Sequence, residues 1–138
     1  MEDYMNVVER LMKADAKKAD EKITKVYKSK ALARLLGEEE PVDITIQEVS
    51  QKRTCEIMDG IYDSKGNLNL PKTYEANCKL CIAGIIEPSM KDKDLQEHFG
   101  CKMAIDLVEK LFKDEANDIA HEIKNISDID GDEDEIKN

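Results

Sequence analysis

From Pro71 to residue 126, apolar side chains return every three or four positions, in runs cut short by Pro88, Gly100 and charged stretches. That spacing puts each run on one side of a helix, so this half of the chain can bury its apolar groups only by packing helices together. The first run is Tyr74, Cys78, Cys81, Ile82, Ile85 and Ile86, opened by Pro71 at a helix start and ended by Pro88. Asp94 and Glu97 have the spacing of a capping pair for a short helix carrying Leu95 and Phe99 and stopped by Gly100. Two more runs follow, Ala104, Ile105, Val108, Leu111 and Phe112, then Ala116, Ile119, Ala120, Ile123 and Ile126. Residues 113–118 contain no glycine, so these last two helices are expected to run on as one.

The first half changes period. Residues 42–49 alternate Val42, Ile44 and Ile46 with Asp43, Thr45 and Gln47, the two-residue repeat of a strand with one buried face. Residues 23–29 also favour extended structure, and between the two lies a short helical run, 30–36, stopped by Gly37. An antiparallel pair with an intervening helix is the simplest arrangement. Ser50 suits the cap of a helix over 50–62 with Cys55, Met58, Ile61 and Tyr62 on its apolar face, and the turn cluster at 63–67 predicts a loop. Residues 2–19 read as an amphipathic helix whose stripe is Tyr4, Met5, Val8, Leu11 and Met12. The expected fold is mainly α with a small antiparallel β element, an α+β class. Residues 1–22 form an N-terminal helical arm and tether, 23–127 a compact helical domain, and 128–138 a disordered acidic tail.

The 138 residues carry 21 Lys and Arg against 31 Asp and Glu, a net charge of -10, with no Trp. The field of such a chain repels phosphate, which argues against nucleic-acid binding. The balance is uneven: residues 1–36 hold nine basic and six acidic side chains, and 127–138 hold one and six. The opening Met1-Glu2-Asp3-Tyr4 lacks the basic and apolar regions of a signal peptide, and no apolar run nears the roughly 20 residues of a membrane span. A soluble, cytoplasmic protein with four reduced cysteines is expected.

Candidate chemistry is thin. Cys78-x-x-Cys81 lies mid-helix on an apolar stripe rather than at a helix start, and Cys55, Cys101, His98 and His121 are not paired at ligand spacing, so core packing is favoured over zinc or redox chemistry. Asp128-Ile129-Asp130-Gly131-Asp132 fits neither register of a calcium loop. No nucleophile motif or phosphate loop is present. No catalytic residue, metal or cofactor is therefore expected, and the protein is read as a non-enzyme. The arm stands apart, because Met is suited to surfaces that accept varied partners. Either it docks on the core, or it is a tethered partner-binding element.

Glu87-Pro88-Ser89-Met90-Lys91-Asp92-Lys93-Asp94-Leu95-Gln96-Glu97-His98-Phe99-Gly100, followed by Asp106-Leu107-Val108-Glu109-Lys110-Leu111-Phe112, resembles the XkdN-like tail assembly chaperones of phages and phage-like particles. Lys30-x-x-x-Arg34-Leu35-Leu36-Gly37 with Ile44-Thr45-Ile46-Gln47-Glu48-Val49, and Cys81-Ile82-Ala83-Gly84-Ile85-Ile86-Glu87-Pro88, are similar to the same family. The resemblance spans about residues 28–127, with the acidic tail beyond it. It implies a chaperone that binds the tape-measure protein, and at most touches the tail tube protein, while the tube polymerises. Such a protein would stay in the bacterial cytoplasm and be absent from the mature particle. It brings no catalytic or cofactor-binding residues. The candidate partner-binding residues are Tyr4, Met5, Val8, Leu11, Met12, Leu95 and Phe99. No membrane or nucleic-acid partner is expected, and self-association into a homo-oligomer stays open. The alternatives are a structural tail or neck component and a small DNA-binding regulator. Residues 30–37 pass for part of a helix-turn-helix, but the second helix, over 50–62, offers only Lys52 and Arg53 as basic groups.

Overall fold

A computed structural model describes residues 6–126. The order of elements is α1 (Val7–Met12), β1 (Thr24–Ser29), α2 (Lys30–Leu36), β2 (Val42–Gln47), α3 (Gln51–Met58), α4 (Leu70–Gly84), β3 (Ile85–Glu87), α5 (Lys93–His98), α6 (Ala104–Phe112) and α7 (Glu115–Ile126). The α+β expectation holds, with seven helices and one small antiparallel sheet among the described residues.

β1 and β2 pair antiparallel from Thr24↔Gln47 to Ser29↔Val42. The alternation seen in the sequence sets which side is buried: Ile44 and Ile46 lie in the core while Asp43 faces solvent and pairs with Lys28 at 3.0 Å. α2 ends where Gly37 takes a left-handed φ of 71°, which costs a residue without Cβ nothing. Ser29 is fully buried and accepts from the Leu32 N–H at 3.1 Å, so the last strand residue caps the helix that follows.

The helices cover one side of this sheet. α7 packs along α4 and over β1 and β2, with α6 against α4 and α2. Phe112, Leu80, Leu107, Ile119 and Ile123 fill the interior, joined by Met90 and both Cys78 and Cys81. The α4–α7 approach is close at Gly84, where a Cβ would lie 2.5 Å from the nearest atom of Ile123.

Several local expectations are corrected. The helix opened by Pro71 stops at Gly84, and Ile85–Glu87 form a third strand on β2. A glycine followed by two β-branched residues weakens the helix at that point, and strand pairing takes up the freed backbone while Ile85 stays buried. The arm is not one helix over 2–19: α1 spans six residues, and Asp15 accepts from the Lys17 N–H at 3.0 Å to start a separate 3-10 turn, Ala16–Asp20. α5 is capped by Asp92, whose carboxylate accepts from the Leu95 N–H at 3.1 Å, rather than by Asp94. α3 ends at Met58, and it buries Ile57 while Cys55 and Tyr62 are exposed. The last two helices are separate, because Lys113 takes a φ of 54° between them. The predicted acidic tail at 128–138 and the out-of-register calcium loop lie outside the described residues.

Candidate interaction surfaces

α1 opens on a local cap. Asn6 and Glu9 form a reciprocal capping box: the Glu9 N–H donates to Asn6 Oδ1 at 2.8 Å and the Asn6 N–H to Glu9 Oε1 at 3.0 Å. At about 100° per residue, Val7, Leu11, Val8 and Met12 occupy one side of the helix and Glu9 and Arg10 the other. None of that apolar side reaches the core, and Val8, Leu11 and Met12 are 66%, 67% and 81% exposed. Of the two readings of the arm, docking on the core does not occur. Tyr4 and Met5, the remaining members of the predicted stripe, lie outside the described residues.

Leu95 and Phe99 are placed differently. Leu95 lies on α5 and Phe99 caps its C-terminal end; both are half-buried against the core, and the Phe99 ring meets that of His98 edge-on with centroids 4.9 Å apart. They pack α5 onto the domain, whereas the stripe of the arm stays in solvent.

The residue that sequence reasoning missed is Glu115, at the first turn of α7. Its carboxylate accepts from Ser29 Oγ at 2.7 Å, the Lys30 N–H at 3.0 Å, the Ala31 N–H at 3.1 Å and the Tyr27 hydroxyl at 3.3 Å. One side chain thus supplies the acceptors that the free N–H groups of α2 require, and ties β1, α2 and α7 together. Beside it, α2 and the α6–α7 junction line a cleft of about 370 Å³ in which Leu111 and Phe112 are joined by basic side chains (Lys30, Arg34, Lys110) and acidic ones (Asp114, Asp118). Burial and then the neighbouring Glu115 charge push the Tyr27 phenol above its ordinary value. Nothing in the sequence distinguishes Glu115 from the other acids, because its partners lie more than 80 positions away.

The cysteine pair sits in the core, as its stripe implied. Cys81 donates to the Ala116 carbonyl at 3.4 Å, and burial raises both thiols, which opposes thiolate chemistry. Among the described residues no three His, Cys, Asp or Glu side chains are grouped as a metal site would need, and no helix is long and apolar enough to cross a membrane.

The surfaces thus offer an exposed apolar helix face on an arm, a small cleft lined by both acidic and basic side chains, and a half-buried acid that joins β1, α2 and α7. A search of curated proteins and of solved structures gives no match. A family profile described as phage XkdN-like tail assembly chaperone protein matches residues 8–138, taking in most of the arm and the tail that the sequence reading had placed outside the family pattern.

Proposed function

This chain belongs to the phage XkdN-like tail assembly chaperones, and we propose that within tail assembly it binds the tape-measure protein and keeps it soluble. The observation that carries this reading is the exposed side of α1. An amphipathic helix leaves Val8, Leu11 and Met12 in water only at a cost, roughly 25 cal/mol for each Å² of apolar surface, which a partner recovers by covering them. A long helical client supplies matching apolar stripes, so helix-against-helix contact is the fitting mode. The unbranched Met12 adapts to successive, non-identical stretches of such a client better than a rigid pocket would. The net charge of -10 keeps the coated complex self-repelling and so dispersed.

The role is a binding one, carried out in the host cytoplasm and ending before the particle is complete. Leu95 and Phe99 contribute by fixing α5, not by contacting the client. Co-expression with the tape-measure protein tests the reading: the client is expected in the soluble fraction in complex with this chain. A client that stays insoluble in its presence sinks the proposal. Mass spectrometry of purified tails tests the timing, since recovery of the chain at stoichiometric levels would make it a structural tail or neck component instead.

A further inference from the structure

The sheet ends differently on its two sides. β3 is three residues long and is followed by Pro88, which has no N–H to offer a further strand. β1 is six residues long and stands at the other edge, where no described strand pairs with it. The Glu48 N–H donates to the Ile23 carbonyl at 2.9 Å, and the register sets Lys25, Tyr27 and Ser29 opposite Ile46, Ile44 and Val42. Hydrogen-bonded pairs alternate along an antiparallel ladder, so the odd-numbered residues exchange main-chain bonds with β2. The N–H and C=O groups of Thr24, Val26 and Lys28 therefore face the open side. Beside them the Val26 side chain is 54% exposed.

We propose that this edge pairs with the same edge of a second copy of the chain, antiparallel about a two-fold axis at Val26, to form a six-stranded sheet. The sequence of β1 selects that occupant and that register. With Val26 opposite its own counterpart, Thr24 of one copy falls opposite Lys28 of the other and Lys25 opposite Tyr27, so no lysine faces a lysine. All three outward-facing residues then lie in hydrogen-bonded pairs, and the two β-branched valines meet at the axis. Centring on Lys25 or Lys28 sets like charges against each other. Centring on Tyr27 demands the Lys30 N–H as a partner for Thr24, and that N–H is already given to Glu115 at 3.0 Å. Each copy carries -10, so the pairing works against net repulsion and tightens as salt screens it, the reverse of an interface built on ion pairs.

Sedimentation of the full chain across a concentration series, at low and high salt, tests this. A monomer–dimer equilibrium that shifts toward dimer in high salt is expected. Val26→Pro removes the outward N–H at the axis without touching a core side chain, and weakens the dimer by about tenfold or more through the loss of two symmetric main-chain bonds. Val26→Lys, which leaves the backbone intact but sets two lysines face to face, weakens it as well and serves if the proline variant fails to fold. Thr24→Glu places a carboxylate opposite Lys28 at two symmetric positions and tightens it several-fold. Circular dichroism of each variant reports the fold. A chain that stays monomeric at every concentration overturns the proposal, as does a dimer indifferent to both Val26 substitutions. A monomer whose Val26 variants lose the tape-measure protein would assign the edge to a client strand and overturn it too.

Discussion

Glu115 spends one carboxylate on four donors from three consecutive residues and a tyrosine. Hydrogen bonds to a charged group are worth more than neutral ones, and removing the acceptor strands the N–H groups at the start of α2. Glu115→Ala is therefore expected to cost about 2–4 kcal/mol in urea unfolding, far above the few tenths typical of a surface acid. A loss under 1 kcal/mol would show that water replaces the carboxylate without penalty. The phenols give a second residue-scale expectation. Burial is the leading cause holding both Tyr27 and Tyr74 above the ordinary 10.0. The unfolded chain gives up those protons first, so it binds fewer protons than the folded chain once pH passes 10. Stability is complete below that pH and falls as pH rises beyond it. The buried thiols of Cys78 and Cys81 act in the same direction from 9.0. The urea midpoint should decline above pH 9 in the native chain, and decline less above pH 10 in Tyr27→Phe/Tyr74→Phe. None of this was legible in the sequence, where Glu115 is one of 31 acids and its partners belong to two distant elements, β1 and α2.

The elements were legible where a local rule and burial agree. β2 follows from its alternating apolar residues, α2 from its apolar run stopped by Gly37, and β1 from the extended preference of 23–29, because each signal lies in or next to the segment that it defines. The misreadings occur where a distant partner decides. β3 extends an apolar run that reads as helix, and only the presence of β2 turns Ile85–Glu87 into a strand. The break between α6 and α7 lacks its glycine, so sequence alone runs the helices together. In the fold Lys113 takes the positive φ itself, its N–H donates to the Glu109 carbonyl at 3.0 Å, and the Tyr74 hydroxyl donates to its carbonyl at 3.0 Å. A bond from α4 thus fixes a backbone that lysine does not favour. Lys113→Gly relieves that conformation and is expected to raise stability by about 1 kcal/mol, read from the urea midpoint at unchanged slope. A destabilised variant would show that the gain in unfolded-chain entropy outweighs the relief.

At the scale of the whole molecule, a helical domain built on a three-stranded sheet carries an arm that shares none of its core. The amphipathic pattern of the arm could be read from sequence, but not whether it docks, since an apolar stripe looks the same whether it is covered by the parent domain or by a partner. The fold decides for exposure, and family membership supplies the setting in which a partner covers it. The family motifs at residues 30–49 and 81–112 resolve into the sheet, its helices and their caps, so they define the scaffold, while the proposed contact lies before them. The most direct test is amide hydrogen exchange of the full chain, alone and bound to the tape-measure protein. The account predicts that Val8 to Met12 exchange quickly in the free chain and become protected in the complex, and that Val8→Ser/Leu11→Ser/Met12→Ser abolishes complex formation with the fold intact. Unchanged exchange in α1, with protection appearing at the α2–α6 cleft instead, would contradict it.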